Sequence, residues 1–275
     1  MASMDRFDTP GRSAHTVPMN HRMMFNRLEL LLGADAMERI FSTRVILFGL
    51  GGVGSWCAES LVRSGIMKLT LVDSDRICFT NLNRQLQTHS GNVGKLKANE
   101  LADRLSLINP QAEINPETRA FTAETAESFN LRKYDYVIDA IDSLKHKVFL
   151  LNLCTQLGVR VFSSMGSAAR LDPTKIKVAA LARTQGCPLA KRVRKALRDS
   201  GNDCSFICVY SDEPPISPQQ VASCGTGDCS SPPGGEDSWC GQKAVINGTV
   251  CHIPAIFGHT LAGLVIQSVI LPDRC

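Results

Sequence analysis

Val45-Ile46-Leu47-Phe48-Gly49-Leu50-Gly51-Gly52-Val53-Gly54 is the stretch that decides the fold. An apolar run ending in Gly-x-Gly-Gly-x-Gly predicts a buried strand, a tight loop and then a helix. Gly49, Gly51, Gly52 and Gly54 let backbone N–H groups approach a phosphate, and the helix N-terminus adds partial positive charge. A second apolar run, Leu69-Thr70-Leu71-Val72, ends on Asp73-Ser74-Asp75. An acid at the end of the second strand can accept hydrogen bonds from a ribose. Strand, glycine loop, helix, strand and acid read together as a nucleotide-binding unit. That layout alone leaves the nucleotide open.

The residues that follow narrow it. After Asp75 come Asn81-Leu82-Asn83-Arg84-Gln85 and Val93-Gly94-Lys95-Leu96-Lys97. A dinucleotide dehydrogenase has no need of Asn, Arg and Lys just past its ribose acid, whereas a triphosphate needs both a guanidinium fork and a mobile ammonium. A further apolar strand ends in Asp139-Ala140-Ile141-Asp142, where a divalent metal bridging phosphates would find a carboxylate. The expectation is an ATP site: Gly49, Gly51, Gly52, Gly54, Asp73, Asp75, Asn81, Arg84, Gln85 and Lys97 around the nucleotide, and Asp142 on Mg²⁺. Plainer roles compete for single residues. Asp75 would also cap the loop after its strand, and Asp142 would also cap the helix entered near Ser143. Arg84 and Lys97, taken singly, would be ordinary solvated charges.

These motifs, in this order and together with Asn26–Gly33, resemble the adenylating domain of the ubiquitin-activating-enzyme superfamily (ThiF, MoeB and HesA type). Within it, Asn109-Pro110, Ser163–Ala168, Leu171–Ile176 and the stretch from Leu181 to Arg194 resemble the tRNA threonylcarbamoyladenosine dehydratase branch. The resemblance runs from about Arg22 to Leu271. It implies a Rossmann-like, doubly wound, mostly parallel α/β sheet with a C-terminal extension and a long crossover loop. It also implies ATP and Mg²⁺ as cofactors and transfer of AMP to a carboxylate. In that branch the carboxylate belongs to threonylcarbamoyladenosine in tRNA, and the modification closes to a ring with loss of water. The implied catalytic residues are Arg84, Lys97, Asp142 and Arg27. Arg27 matches an arginine that reaches the triphosphate from the other subunit of a homodimer. Two alternatives stay open: adenylation of the C-terminal glycine of a ubiquitin-like sulfur carrier, and a non-catalytic scaffold relaying sulfur or binding a carrier protein.

The chain has 275 residues, 44% of them apolar, enough for a large core, and a net charge of +4 that permits an anionic partner without demanding one. Eleven scattered cysteines with no secretory signal read as reduced thiols of a cytoplasmic protein. Three regions are expected: a disordered tail at 1–20, an ATP-binding core at 21–170, and a substrate and dimerisation region at 171–275 with a flexible crossover at 212–248. One long helix is expected over 24–41. The helix Leu189–Asp199 carries Lys191, Arg192, Arg194, Lys195 and Arg198, a footprint suited to tRNA phosphates. No Cys-x-x-Cys pair is present, so the paired zinc ligands typical of sulfur-carrier enzymes are missing; Cys224, Cys229 and Cys240, with Cys251 or Cys187, leave an irregular zinc site open. Cys187 at a helix start is an acyl-accepting thiol only if ring closure needs one. The apolar stretch Ile253–Leu271 is about long enough to span a membrane, but its polar and glycine residues favour a buried or dimer-interface helix, with peripheral membrane contact left open.

Overall fold

The computed structural model describes residues 21–217 and 247–271. The expected tail at 1–20, most of the crossover, and Cys224, Cys229 and Cys240 lie outside them. The described part starts with α1 (His21–Met24), α2 (Asn26–Leu32) and α3 (Ala34–Ser42), and then alternates: β1 (Arg44–Phe48), α4 (Gly54–Arg63), β2 (Lys68–Val72), α5 (Lys97–Ile108), β3 (Glu113–Glu117), β4 (Tyr136–Asp139), α6 (Leu144–Leu157) and β5 (Val161–Ser164). After these come β6 (Ile176–Ala180), α7 (Pro188–Asp199), β7 (Ile207–Ser211) and α8 (His252–Ile270). The seven strands form one sheet in the order β3-β2-β1-β4-β5-β7-β6, parallel throughout except for the β6–β7 pair. This is the doubly wound α/β sheet expected from the sequence, and its strand order reverses between β1 and β4.

Alternation along the strands builds two cores. Val45 and Leu47, with Leu69 and Leu71, pack on one face against α3, α4, α5 and α8. Ile46, Phe48, Val72 and Val137 pack on the other against α6 and α7. Single long helices do not fit everywhere. The expected helix over 24–41 is broken at Gly33, whose φ of 80° and ψ of 163° take it out of the helical region. Helix α5 starts only at Lys97, because Leu96 bridges to Arg76 and Ile77 donates to the Lys95 carbonyl.

Helix α8 is long and apolar enough to cross a membrane by length and composition. Its place in the fold accounts for that apolarity: Ile253, Phe257, Leu261 and Val265 are fully buried in the first core. Gly258 makes the close approach to α4 possible. A Cβ there would lie 2.4 Å from the Val53 carbonyl oxygen and 2.8 Å from the Cys57 nitrogen. Those are backbone atoms and cannot swing aside. Near the far end of the same interface, Tyr136 donates to the Ser268 hydroxyl at 2.9 Å and joins α8 to β4.

Two expectations follow. Gly258→Ala is expected to lower stability by about 1–3 kcal/mol, the usual cost of overpacking, read as a fall in Tm. Glu59 on α4 accepts from Arg63 at 2.9 Å and Arg104 at 2.7 Å. Burial alone would raise its pKa, but the two guanidiniums hold it below the ordinary carboxylate value. Its contribution is therefore present above the unfolded-state pKa and lost as pH falls through the lower folded value. Glu59→Gln is expected to cost about 1–2 kcal/mol at neutral pH. Urea melts below the folded-state pKa should find the variant and the parent nearly equal.

Candidate active site

The loop after β1 lies beyond the carboxyl end of the sheet, where its strand order reverses and ligands of such sheets bind. Gly49, at φ 88°, abuts the loop after β4 so closely that a Cβ would sit 2.7 Å from the Ala140 oxygen. At Gly54 a Cβ would collide with the Gly49 oxygen at 1.8 Å, and at Gly52 it would meet Pro254 of α8 at 3.2 Å. Gly51 differs. Its added Cβ would come no nearer to any atom than 3.9 Å, from Gln85 Nε2. Packing does not require glycine there, while close approach by a phosphate would.

Asp73 holds this loop. Its Oδ2 accepts from the Leu50 N–H at 2.6 Å and its Oδ1 from the Asp75 N–H at 2.8 Å. A carboxylate has about four acceptor positions, so capacity for a ribose hydroxyl remains. Burial raises the Asp73 pKa, the charge of Asp75 adds to this, and Lys97 opposes both. Lys97, at the first position of α5, is nearly buried and donates to Asp75 at 2.7 Å. Burial would lower its pKa, but Asp73, Asp75 and Asp142 together raise it, so the ammonium stays charged.

Arg84 is half-buried and donates to the Thr80 carbonyl at 2.8 Å and to Asn83 Oδ1 at 3.0 Å. Burial pulls its pKa down, and the charge of Asp142 works against that. Trp56 of α4 donates to the Arg84 carbonyl at 3.0 Å and fixes its backbone. Asn81 turns the loop internally, its Oδ1 accepting from the Cys78 N–H at 3.0 Å. Asp142 is exposed just past β4. Helix α6 begins at Leu144 with Ser143 as its N-cap, so Asp142 stands before the capping position. Loops from β1, β2 and β4 thus bring Gly51, Asp73, Asp75, Arg84, Lys97 and Asp142 to one end of the sheet. Arg27 is not brought there within the chain. It stands exposed on α2, and no hydrogen bond or ion pair joins it to the loop among the described residues.

Sequence reading missed three contributors. Gln87 is buried; its Nε2 donates to the Leu50 carbonyl at 3.0 Å, while its Oε1 and that of Gln85 have no partner among the described residues. Under the β4 loop, Lys147 and Asp139 form a fully buried ion pair at 2.5 Å. Asp139 also accepts from the Ser163 hydroxyl at 2.6 Å, and Lys147 donates to the Ser164 carbonyl at 2.9 Å. A signal for Lys147 was available: it falls on the same helical stripe as buried Leu150, Leu151 and Cys154. A lysine there needs a buried counter-ion.

The basic helix α7 also needs correction. Arg194 does not belong to an exposed footprint, because its Nη1 donates to the Leu181 and Thr184 carbonyls and to the Thr184 hydroxyl, at 3.1, 2.9 and 2.6 Å. Lys191, Arg192, Lys195 and Arg198 remain exposed. Cys187 is buried, and its Sγ accepts from the Ala190 N–H at the start of α7. Among the described residues no group of three or more His, Cys, Asp or Glu side chains could hold a metal ion.

Residues 25–271 match the ThiF family model, and the chain belongs to that family. It is 39% identical to the tRNA threonylcarbamoyladenosine dehydratase of Haemophilus influenzae, over 75% of this chain and 82% of that protein. It is also 39% identical to the enzyme of that name from Bacillus subtilis, over 70% and 76%. The crystal structure of Escherichia coli tRNA N6-threonylcarbamoyladenosine dehydratase with AMP superposes with a TM-score of 0.78 at 30% identity, covering 91% of this chain and 95% of that one.

The buried pair gives a test. Lys147→Met leaves the Asp139 carboxylate uncompensated and is expected to cost about 3–5 kcal/mol, whereas replacing both partners by apolar residues is expected to cost much less. A double-mutant cycle from denaturant melts measures the difference; equal losses would count against the pair as the support of the β4 loop.

Proposed function

We propose that this member of the ThiF family is an ATP-dependent enzyme that dehydrates threonylcarbamoyladenosine in tRNA through an acyl-adenylate. The observation that carries the reading is the meeting of Arg84, Lys97 and Asp142 beside the open Gly51 loop, in a chain so similar to dehydratases of that name. A structure of the similar Escherichia coli enzyme with ATP supports the same nucleotide.

The physical steps follow from the residues. A carboxylate is a poor electrophile because its leaving group would be oxide. Attack of a threonyl carboxylate oxygen on the α-phosphorus expels pyrophosphate and forms a mixed anhydride, in which that oxygen joins the acyl carbon to AMP and later leaves with it. The neighbouring carbamoyl group then closes on that carbon and AMP departs; the sum is loss of water. Closure within one molecule lets orientation replace a protein nucleophile, so buried Cys187 has no necessary part. Lys97 and Arg84 stabilise negative charge where it grows, on the α-phosphate and the departing pyrophosphate. Asp73 takes the ribose, and Asn81 and Gln85 shape the wall of the site. Asp142 suits Mg²⁺: it is a hard oxygen donor, and Mg²⁺ typically takes one or two carboxylates together with substrate phosphates and water. Bound there, Mg²⁺ would neutralise phosphate charge. Arg27, free to project from α2, would serve a second subunit's site in a homodimer. The exposed cations of α7 would receive tRNA phosphates.

Arg84→Ala is expected to lower kcat about 10²–10³-fold with a much smaller change in KM for ATP, since its charge is needed most as pyrophosphate leaves. Release of AMP is to be measured with modified tRNA and, separately, with a Gly-Gly-tailed carrier protein. Release driven by the carrier alone would transfer the assignment to the sulfur-carrier reading, and an unchanged kcat would remove Arg84 from the mechanism.

A further inference from the structure

Arg170 lies in the loop between β5 and β6 and is 3% exposed. Among the described residues its Nε has no partner, and its Nη1 reaches only the carbonyl of Ala169, at 3.4 Å. Nη2 donates to no group among the described residues. A guanidinium keeps its charge in proteins, and a buried charge without a counter-ion is strongly disfavoured.

The acids that meet its loop have other partners. Glu213 accepts from the Leu171 N–H on both oxygens and from the Asp172 N–H, each at 3.1 Å. Asp172 accepts from the Thr174 N–H at 2.8 Å and the Thr174 hydroxyl at 2.6 Å. Asp212 pairs with Lys177 through Oδ2, and its Oδ1 is buried without a partner among the described residues. No acid pairs with Arg170 among the described residues.

The loop is held firmly and close to the nucleotide site. Ala169 has φ 58°, a region non-glycine residues seldom enter. Its N–H donates to the Gly248 carbonyl and its own carbonyl accepts from the Ile216 N–H, both at 2.9 Å. The next carbonyl but one, that of Leu171, lies 3.0 Å from His252 Nε2 at the start of α8. Two residues further along α8, Pro254 backs Gly52. The Thr249 carbonyl accepts from Asn83, the neighbour of Arg84, at 3.2 Å. Arg170 therefore stands one connection away from the adenylating residues, at the same end of the sheet.

We infer that Arg170 is a substrate-binding residue whose ligand is an anionic group of the acid to be activated, its carboxylate or an adjacent RNA phosphate. The inference rests on the adenylating reading above for the identity of the substrate. A planar fork of donors fits either oxyanion.

The test is equilibrium binding by wild type, Arg170→Gln and Arg170→Lys, with N-carbamoyl-L-threonine as the carboxylate probe and unmodified tRNA as the phosphate probe. Loss of one charge-assisted contact is expected to weaken binding about tenfold to a hundredfold in Arg170→Gln, and less in Arg170→Lys. Weaker binding of the small acid assigns the carboxylate. Weaker binding of tRNA alone, with the salt dependence reduced by about one ion, assigns a phosphate. Equal or undetectable binding of both probes by wild type and variants overturns the inference. A merely structural arginine would instead show itself as a lowered Tm with binding intact, and this too overturns it. Should Arg170→Gln not fold, Arg170→Lys carries the comparison. AMP release by wild type on modified tRNA is read in parallel; its failure would strike the adenylating reading and leave the binding result standing.

Discussion

One carboxylate ties the candidate site together. Asp73 ends β2 but spends both oxygens on backbone amides, those of Leu50 in the glycine loop and of Asp75 in its own turn. The first bond sets where the loop leaves β1. The second directs Asp75 toward Lys97, whose own N–H returns to the Asp75 carbonyl at 3.0 Å. A single acid thus fixes the loop that would receive phosphate and the lysine that would neutralise it. Gln87 closes the clamp from the other side through the Leu50 carbonyl, so one residue is held at both its backbone polar groups. Donors fixed before a ligand arrives need no reorganisation when charge develops, the condition under which electrostatic stabilisation is strongest.

The β4 side is held by different means. Asp139, Lys147 and Ser163 are buried between β4, α6 and β5, and the Ile141 N–H donates to Asp139 Oδ1 at 3.0 Å. That last bond shapes the turn carrying Asp142. A buried ion pair of this kind adds little net stability compared with apolar packing. What it provides is position: the network joins the end of β4 to the end of β5 and leaves one turn between them and Asp142. Two acids three residues apart therefore have different tasks, Asp139 inside as support and Asp142 outside.

Much of this was legible from sequence because strong local patterns coincide with strong physical demands. β1 and β2 end where the apolar runs do and begin one residue before them, since buried parallel strands need continuous hydrophobic residues and glycine or acid marks their ends. Asp73, Asp75 and Asp142 follow closely on apolar strands, and Arg84 and Lys97 stand in short motifs just beyond them, so all five carried a local signal. Contacts made at long range were not legible. Arg194 looked like one more exposed cation, because no local pattern reveals that its guanidinium folds back on the Leu181–Thr184 turn. The helix break at Gly33 was concealed by apolar periodicity that continues across it. The membrane-length run of α8 was ambiguous for the same reason: apolarity does not say whether lipid or α4 will cover it, and Gly258 against Val53 is a fact of packing alone.

The position of α8 bears on how the two halves of the reaction would be coordinated. Its first residues touch the glycine loop through Pro254 and the β5–β6 connection through His252, while Trp56 on the packed helix α4 holds the Arg84 carbonyl and meets His259 of α8 with tilted rings. An adenylating enzyme must bring an acid to the α-phosphate at a defined angle, and small misplacement costs large factors in rate. Here the nucleotide loop, the arginine beside it and the Arg170 loop are all braced by the same α4–α8 pair, whose separation is set by a glycine that admits no Cβ. Placement of the acid relative to the nucleotide then becomes a property of core packing, which is stiff, and not of the surface loops. Ring closure asks nothing further of the protein than that this alignment persist until AMP leaves.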